Sequence, residues 1–101
     1  MIKFDKFILS NGLRVLVHED TSTPMAVVNV LYDVGARDED PQKTGFAHFF
    51  EHLMFGGSKN IPVYDDPLQV AGGENNAYTT NDLTNYYCQL PAENIETAFW
   101  L

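Results

Sequence analysis

The sequence predicts an α+β fold: a mainly antiparallel sheet with helices packed on one face. Three observations predict it. Asn11-Gly12 lies between two apolar runs, the strongest short-range signal for a hairpin. Glu74–Thr80 and Thr84–Leu90 flank Asn81-Asp82 and read as a second hairpin. Between the two hairpins, Gly45–Phe55 is apolar nearly all round and is closed by Gly56-Gly57, the signature of a helix inside a protein.

The elements follow in order. Phe4–Leu9 alternates loosely, and Leu13–His18 is its return strand. Glu19–Pro24 is polar and interrupts the run. Met25–Tyr32 is β-branched and apolar on successive positions, which predicts a buried central strand. Gly35–Thr44 is a charged loop. After the Gly45–Phe55 helix, Tyr64–Ala71 predicts a second short helix, and Gly72-Gly73 breaks it. Pro91 sits where a last helix begins, with Ile95, Ala98, Phe99 and Trp100 as its apolar stripe. That stripe reaches Leu101 with no Gly and no basic last turn. The expectation is therefore that residues 1–101 form one N-terminal portion of a longer domain, ending inside a helix.

Composition narrows the function. The net charge is −8, with six Lys and Arg scattered along the chain. Nucleic-acid binding needs clustered cations to neutralise phosphates, so it is set aside. Cys88 is the single cysteine, which rules out an internal disulfide and a Cys-rich zinc knot. No apolar run approaches the ~18 residues of a membrane span, and charges interrupt Met1–Phe7 where a signal peptide would have its apolar region. The expected location is cytoplasmic.

The polar exceptions on the Gly45–Phe55 helix carry the chemistry. His48 and His52 are four apart and share one side, so their ring nitrogens can reach one ion. Neutral imidazole is a preferred zinc ligand. Glu51 lies three residues after His48, offset on the same side, where a carboxylate can hold a water and take its proton. Zinc lowers the pKa of bound water to about 7 and polarises a scissile carbonyl, which is the chemistry of peptide hydrolysis. By chance, H-x-x-E-H would occur in roughly 1 in 200 chains of this composition. The alternative is two ordinary helix histidines, but three ionisable groups on an apolar helix are costly unless paired or metal-bound.

With its flanks, this segment resembles the M16 (pitrilysin or insulinase type, inverzincin) zinc metallopeptidases. Gly45-Phe46-Ala47-His48 precedes the motif, and Phe55 and Gly57 follow it. Asn76-Ala77-Tyr78-Thr79 and Thr84-Asn85-Tyr86-Tyr87 are similar to the family's substrate-binding strand and the strand after it. Asn11-Gly12-Leu13-Arg14-Val15 is similar to its opening hairpin. Phe50 departs mildly from the family's usual aliphatic residue. The resemblance implies a truncated M16-like domain of the processing-peptidase type, with His48 and His52 as zinc ligands and Glu51 as catalytic base. It implies Asn76 and Ala77 in an edge strand that pairs with a peptide or unfolded polypeptide substrate, and Tyr78 beside a side-chain subsite. Asn76 also reads as a turn residue after Gly72-Gly73, and Tyr78 as a packing residue.

The family's third zinc ligand, a Glu, falls beyond Leu101, as does the half that closes its chamber. Glu74, Asp82, Cys88 and His18 are substitutes by type only. These residues alone are therefore expected to be inactive, to hold zinc weakly and to self-associate, with a C-terminal half or partner chain in the longer protein. The alternatives are a non-catalytic M16-like subunit and a metal-independent α+β binding module.

Overall fold

A computed structural model describes residues 1–101. Asp5–Ile8 (β1) and Arg14–Val17 (β2) form an antiparallel hairpin with Asp5 opposite Val17 and Ile8 opposite Arg14. The Asn11-Gly12 turn is made as its residues predict. The Leu9 and Gly12 N–H groups donate to the Leu13 and Leu9 carbonyls at 2.9 Å, and Asn11 Oδ1 accepts the Leu13 N–H at 3.0 Å. This hairpin is a sheet of its own.

The second sheet has three strands in the order β3-β5-β4, from Met25–Tyr32 (β3), Glu74–Thr79 (β4) and Thr84–Pro91 (β5). Both pairings are antiparallel, with Tyr32 and Thr79 each opposite Thr84. Here the expectation for Met25–Tyr32 is corrected. β5, not β3, is central, and β3 is an edge strand whose Val27 remains 61% exposed. The β4–β5 hairpin occupies one side of β5 and β3 adds to the other. No residue of the chain pairs with the far edge of β3 or covers its outer face.

Register places Val28, Val30, Tyr32, Ala77, Thr79, Tyr86 and Cys88 on one face. The helices Phe46–Met54 (α1), Asp65–Val70 (α2) and Ile95–Trp100 (α3) all pack there, as an α+β fold with helices on one face requires. Leu68, Ala71, Cys88 and Leu90 form the core, with Val28, Tyr64, Ala98 and Leu101 packed against it. Burial pushes the Cys88 thiol pKa up. A 3-10 turn at Ala92–Asn94 stands between Pro91 and α3.

The expectation that α1 is enclosed is also corrected. Phe49 and Phe50 are 55% and 58% exposed, because only one side of the helix meets the sheet. The surface totals 8055 Å², against about 5,800 Å² for a compact monomer of this mass. The radius of gyration is 15.4 Å, against about 13 Å. Much of this surface is apolar, with 25 large hydrophobic residues exposed, Phe49, Phe50, Val27 and Leu31 among them. No helix is long and apolar enough to cross a membrane.

Candidate metal centre

The site is built on α1, and both ends of the helix are set by residues outside it. Gly45 takes the N-cap position at φ +91°, a left-handed conformation that disfavours a side chain even though open space surrounds it. Glycine has no side chain to cap the helix, and Glu39 does so instead. Its Oε2 accepts the Gly45 N–H and its Oε1 the Ala47 N–H, each at 2.7 Å. Those two N–H groups hold the Glu39 carboxyl below its usual pKa. At the other end Phe55 and Gly56 close the helix with bonds to the His52 and Leu53 carbonyls. The left-handed residue there is Gly57, one position later than a Gly56 cap would place it.

Between these ends, Nε2 of His48 and Nε2 of His52 stand 2.7 Å apart. The rings are stacked, with centroids 4.7 Å apart and planes 14° from parallel. Two nitrogens each ~2.0–2.1 Å from one tetrahedral ion would stand about 3.3–3.4 Å apart. The two nitrogens therefore already face each other and need part by only about 0.6–0.7 Å to share a zinc ion. Both histidines are exposed on the helix. The residues present fit two ligand positions. Among the His, Cys, Asp and Glu residues, no group of three stands close enough to hold a metal. His18 bonds the Lys3 carbonyl beside the separate hairpin, Asp82 pairs with Arg37 at 3.2 Å, Cys88 is in the core, and Glu74 is exposed at the start of β4.

Glu51 turns toward the sheet, where the Thr79 hydroxyl donates to its Oε2. Tyr86 is the next strand's residue opposite Ala77. Its phenol pKa is raised by burial first, then by the Glu51 carboxylate and Tyr32. The Tyr86 ring lies 6.0 Å from Phe55 and 5.9 Å from Tyr32, between the C-terminal end of α1 and β3.

β4 is the outer strand next to this helix. Across the β4–β5 turn, Thr80 N–H donates to Leu83 O at 2.8 Å. Alternation then turns the N–H and C=O groups of Ala77 and Thr79 to the free edge. Asn76 Oδ1 accepts the Ala77 N–H at 2.8 Å, in the place an added strand's carbonyl would take. The side chains of Asn76 and Tyr78 lie on the face away from α1, while Ala77 shares the face of Glu51. The helix that carries His48, His52 and Glu51 thus lies beside β4, the strand of Ala77, and meets it through Glu51 and Thr79. Asn76 and Tyr78 adjoin this contact by their backbone and edge position.

The loop before α1 is held to the same end. Gly35 lies so close to the turn that a β-carbon would come 2.5 Å from the Thr80 and Asn81 carbonyl oxygens. Ala36 and Arg37 N–H groups donate to those oxygens at 3.1 and 2.9 Å. Arg37 adds ion pairs to Asp33, Asp38 and Asp82. Sequence reasoning missed Glu39, Gly35 and Thr79. A carboxylate six residues before Gly45 was the one visible signal for Glu39.

Residues 14–100 match the family model described as Insulinase (Peptidase family M16). The chain is 36% identical over 102 residues to a protein of Helicobacter pylori named zinc protease PqqE, covering 98% of this chain and 23% of that one. It is 38% identical over 93 residues to human cytochrome b-c1 complex subunit 1, covering 90% of this chain and 19% of that one. The crystal structure of a protease from Helicobacter pylori superposes with a TM-score of 0.90 at 35% identity, over 96% of this chain and 24% of that chain. The chain thus spans about a fifth to a quarter of the length of these relatives.

Proposed function

This chain belongs to the insulinase family of peptidases, family M16, and from that premise we propose that it is the N-terminal, metal-binding part of a longer zinc metallopeptidase. The observation that carries the reading is the approach of the two Nε2 atoms of His48 and His52 to 2.7 Å, one turn apart on a helix that also carries Glu51. His48 and His52 are the residues that would hold the ion, with a third protein ligand, a Glu in the resemblance, supplied from outside these 101 residues. When bound, zinc supplies Lewis acidity that activates water and polarises a carbonyl.

Glu51 acts as general base. With Oε2 engaged by Thr79, Oε1 is left to take a proton from the attacking water and to hand it to the leaving amine nitrogen. The free edge of β4 would hold an extended peptide through the N–H and C=O groups of Ala77 and Thr79, displacing Asn76 Oδ1. Main-chain pairing accepts many sequences, which suits peptides and unfolded polypeptides as substrates. Tyr78, exposed beside that edge, would contact a substrate side chain on the outer face. A C-terminal half or a partner chain would cover the exposed faces of α1 and β3.

The full-length protein tests this. A chelator should abolish peptide hydrolysis and zinc should restore it, and Glu51→Gln should lower kcat by about 10²–10⁴-fold. Activity that survives both changes would overturn the reading. One observation favours a second reading, a non-catalytic subunit of a larger assembly: the 38% identity to a protein named as a subunit of the cytochrome b-c1 complex. A full-length protein that binds no zinc yet forms a stable complex with a second chain would favour it.

A further inference from the structure

Thr79 belongs to two surfaces at once. Its backbone N–H and C=O face the free edge of β4, by the alternation that Thr80 and Leu83 set. Its side chain crosses to α1 and donates the hydroxyl hydrogen to Glu51 Oε2, across 28 positions of sequence. Both side chains are partly buried, where a hydrogen bond to a carboxylate is stronger than in water.

We infer that Thr79 is the positioning residue for Glu51, tying the base to the strand that receives the peptide. The inference rests on the peptidase reading above. A carboxylate on an otherwise free side chain rotates about its terminal bonds. Fixing Oε2 leaves one oxygen, Oε1, in one orientation. A peptide paired with Ala77 and Thr79 is then located by the same residue that locates the base, so the scissile bond and the proton acceptor share a reference. The hydroxyl touches no substrate atom. Its effect runs entirely through Glu51, and so it should appear in turnover and not in binding.

The arrangement is stiffened from behind. Thr84, opposite Thr79, donates its hydroxyl to the Val34 carbonyl at 2.9 Å, and the Gly35–Arg37 segment is bonded to the turn that follows Thr79. Neither contact can replace the missing donor to Oε2 if Thr79 loses its hydroxyl.

The test uses the full-length protein. Thr79→Val removes the hydroxyl while keeping the β-branched shape that suits a strand, and Thr79→Ala, carried alongside, removes it by a second route. Thr79→Ser restores the donor. Four quantities are measured: kcat, KM, zinc content, and affinity for a non-hydrolysable peptide analogue. Val and Ala should lower kcat by about 10–100-fold, with KM, zinc content and analogue affinity within about twofold of the wild type. Ser should recover kcat to within about threefold, and Val should add nothing when combined with Glu51→Gln. The inference is overturned if Val and Ala turn over within about twofold of the wild type, if zinc or analogue binding falls with kcat, if Ser fails to recover, or if Val acts equally on the Glu51→Gln background. Failure of the peptidase reading looks different: the wild type itself would then show no peptide turnover, or Glu51→Gln would keep it.

Discussion

The side chain of Glu39 accepts the backbone N–H of Ala47 at 2.7 Å, one residue before His48, and so the position of the candidate metal helix is set by a residue of the preceding loop. The same carboxylate accepts the Gly45 N–H at 2.7 Å. Glu39→Ala should therefore fray the first turn of α1. Amide hydrogen exchange should show faster exchange at Gly45 and Ala47, with β5 unchanged. Unchanged protection at both residues would contradict the capping role. The folded pKa of Glu39 lies below its unfolded value, so its stabilising contribution is present above the ordinary Glu range and is lost as pH falls through the folded value. The wild-type chain should lose this protection in acid before Glu39→Ala shows any further change.

Peptide capture through backbone groups makes a prediction about the ligand and not the protein. N-methylation of a peptide at the amide that pairs with the Ala77 or Thr79 carbonyl should raise KM by about tenfold, the scale of one lost hydrogen bond in a buried setting. Methylation two residues outside the paired segment should leave KM unchanged. Equal effects at every position would remove the edge of β4 as the docking strand.

The small core gives a contrast in stability. Leu90 is 0% exposed in a cluster of four, so Leu90→Ala should cost about 2–5 kcal/mol. Leu31, at 55% exposed on the edge strand, should cost under about 1 kcal/mol in residues 1–101. Denaturant unfolding of the 101-residue chain checks both. Similar costs for the two would mean that the outer face of β3 is covered.

Exposed Phe46, Phe49, Phe50 and Leu53 on α1, with Val27 and Leu31 on β3, form apolar surface on both sides of the sheet. Such patches drive association. Residues 1–101 alone should sediment as a dimer or larger species, and Phe49→Asp with Phe50→Lys should shift the distribution toward monomer. A monodisperse wild-type monomer would contradict this.

Much of this was legible from local signals. Asn11-Gly12 fixed its hairpin because a short loop closed by a glycine needs no distant partner, and the four-residue spacing of His48 and His52 placed their rings together because helix geometry alone does so. What was not legible depended on distant residues. Val27 and Leu31 give Met25–Tyr32 the composition of a doubly covered strand, but strand order is decided by which neighbour arrives, and β5 took the centre. The apolar girth of α1 predicts burial all round, yet only one side of the helix meets the sheet. Thr79 and Glu51 lie 28 positions apart, a pairing that no local pattern encodes.

Peptide hydrolysis at this helix depends on His48 and His52 sharing one divalent ion. A crystal of the full-length protein grown with zinc, measured on both sides of the zinc absorption edge, tests that directly. One anomalous peak is expected about 2.0–2.1 Å from each Nε2, with the rings moved apart from their 2.7 Å approach and Glu51 outside the ligand set. A map with no peak at these rings, or with zinc held elsewhere while His48 and His52 stay hydrogen-bonded to each other, would contradict it.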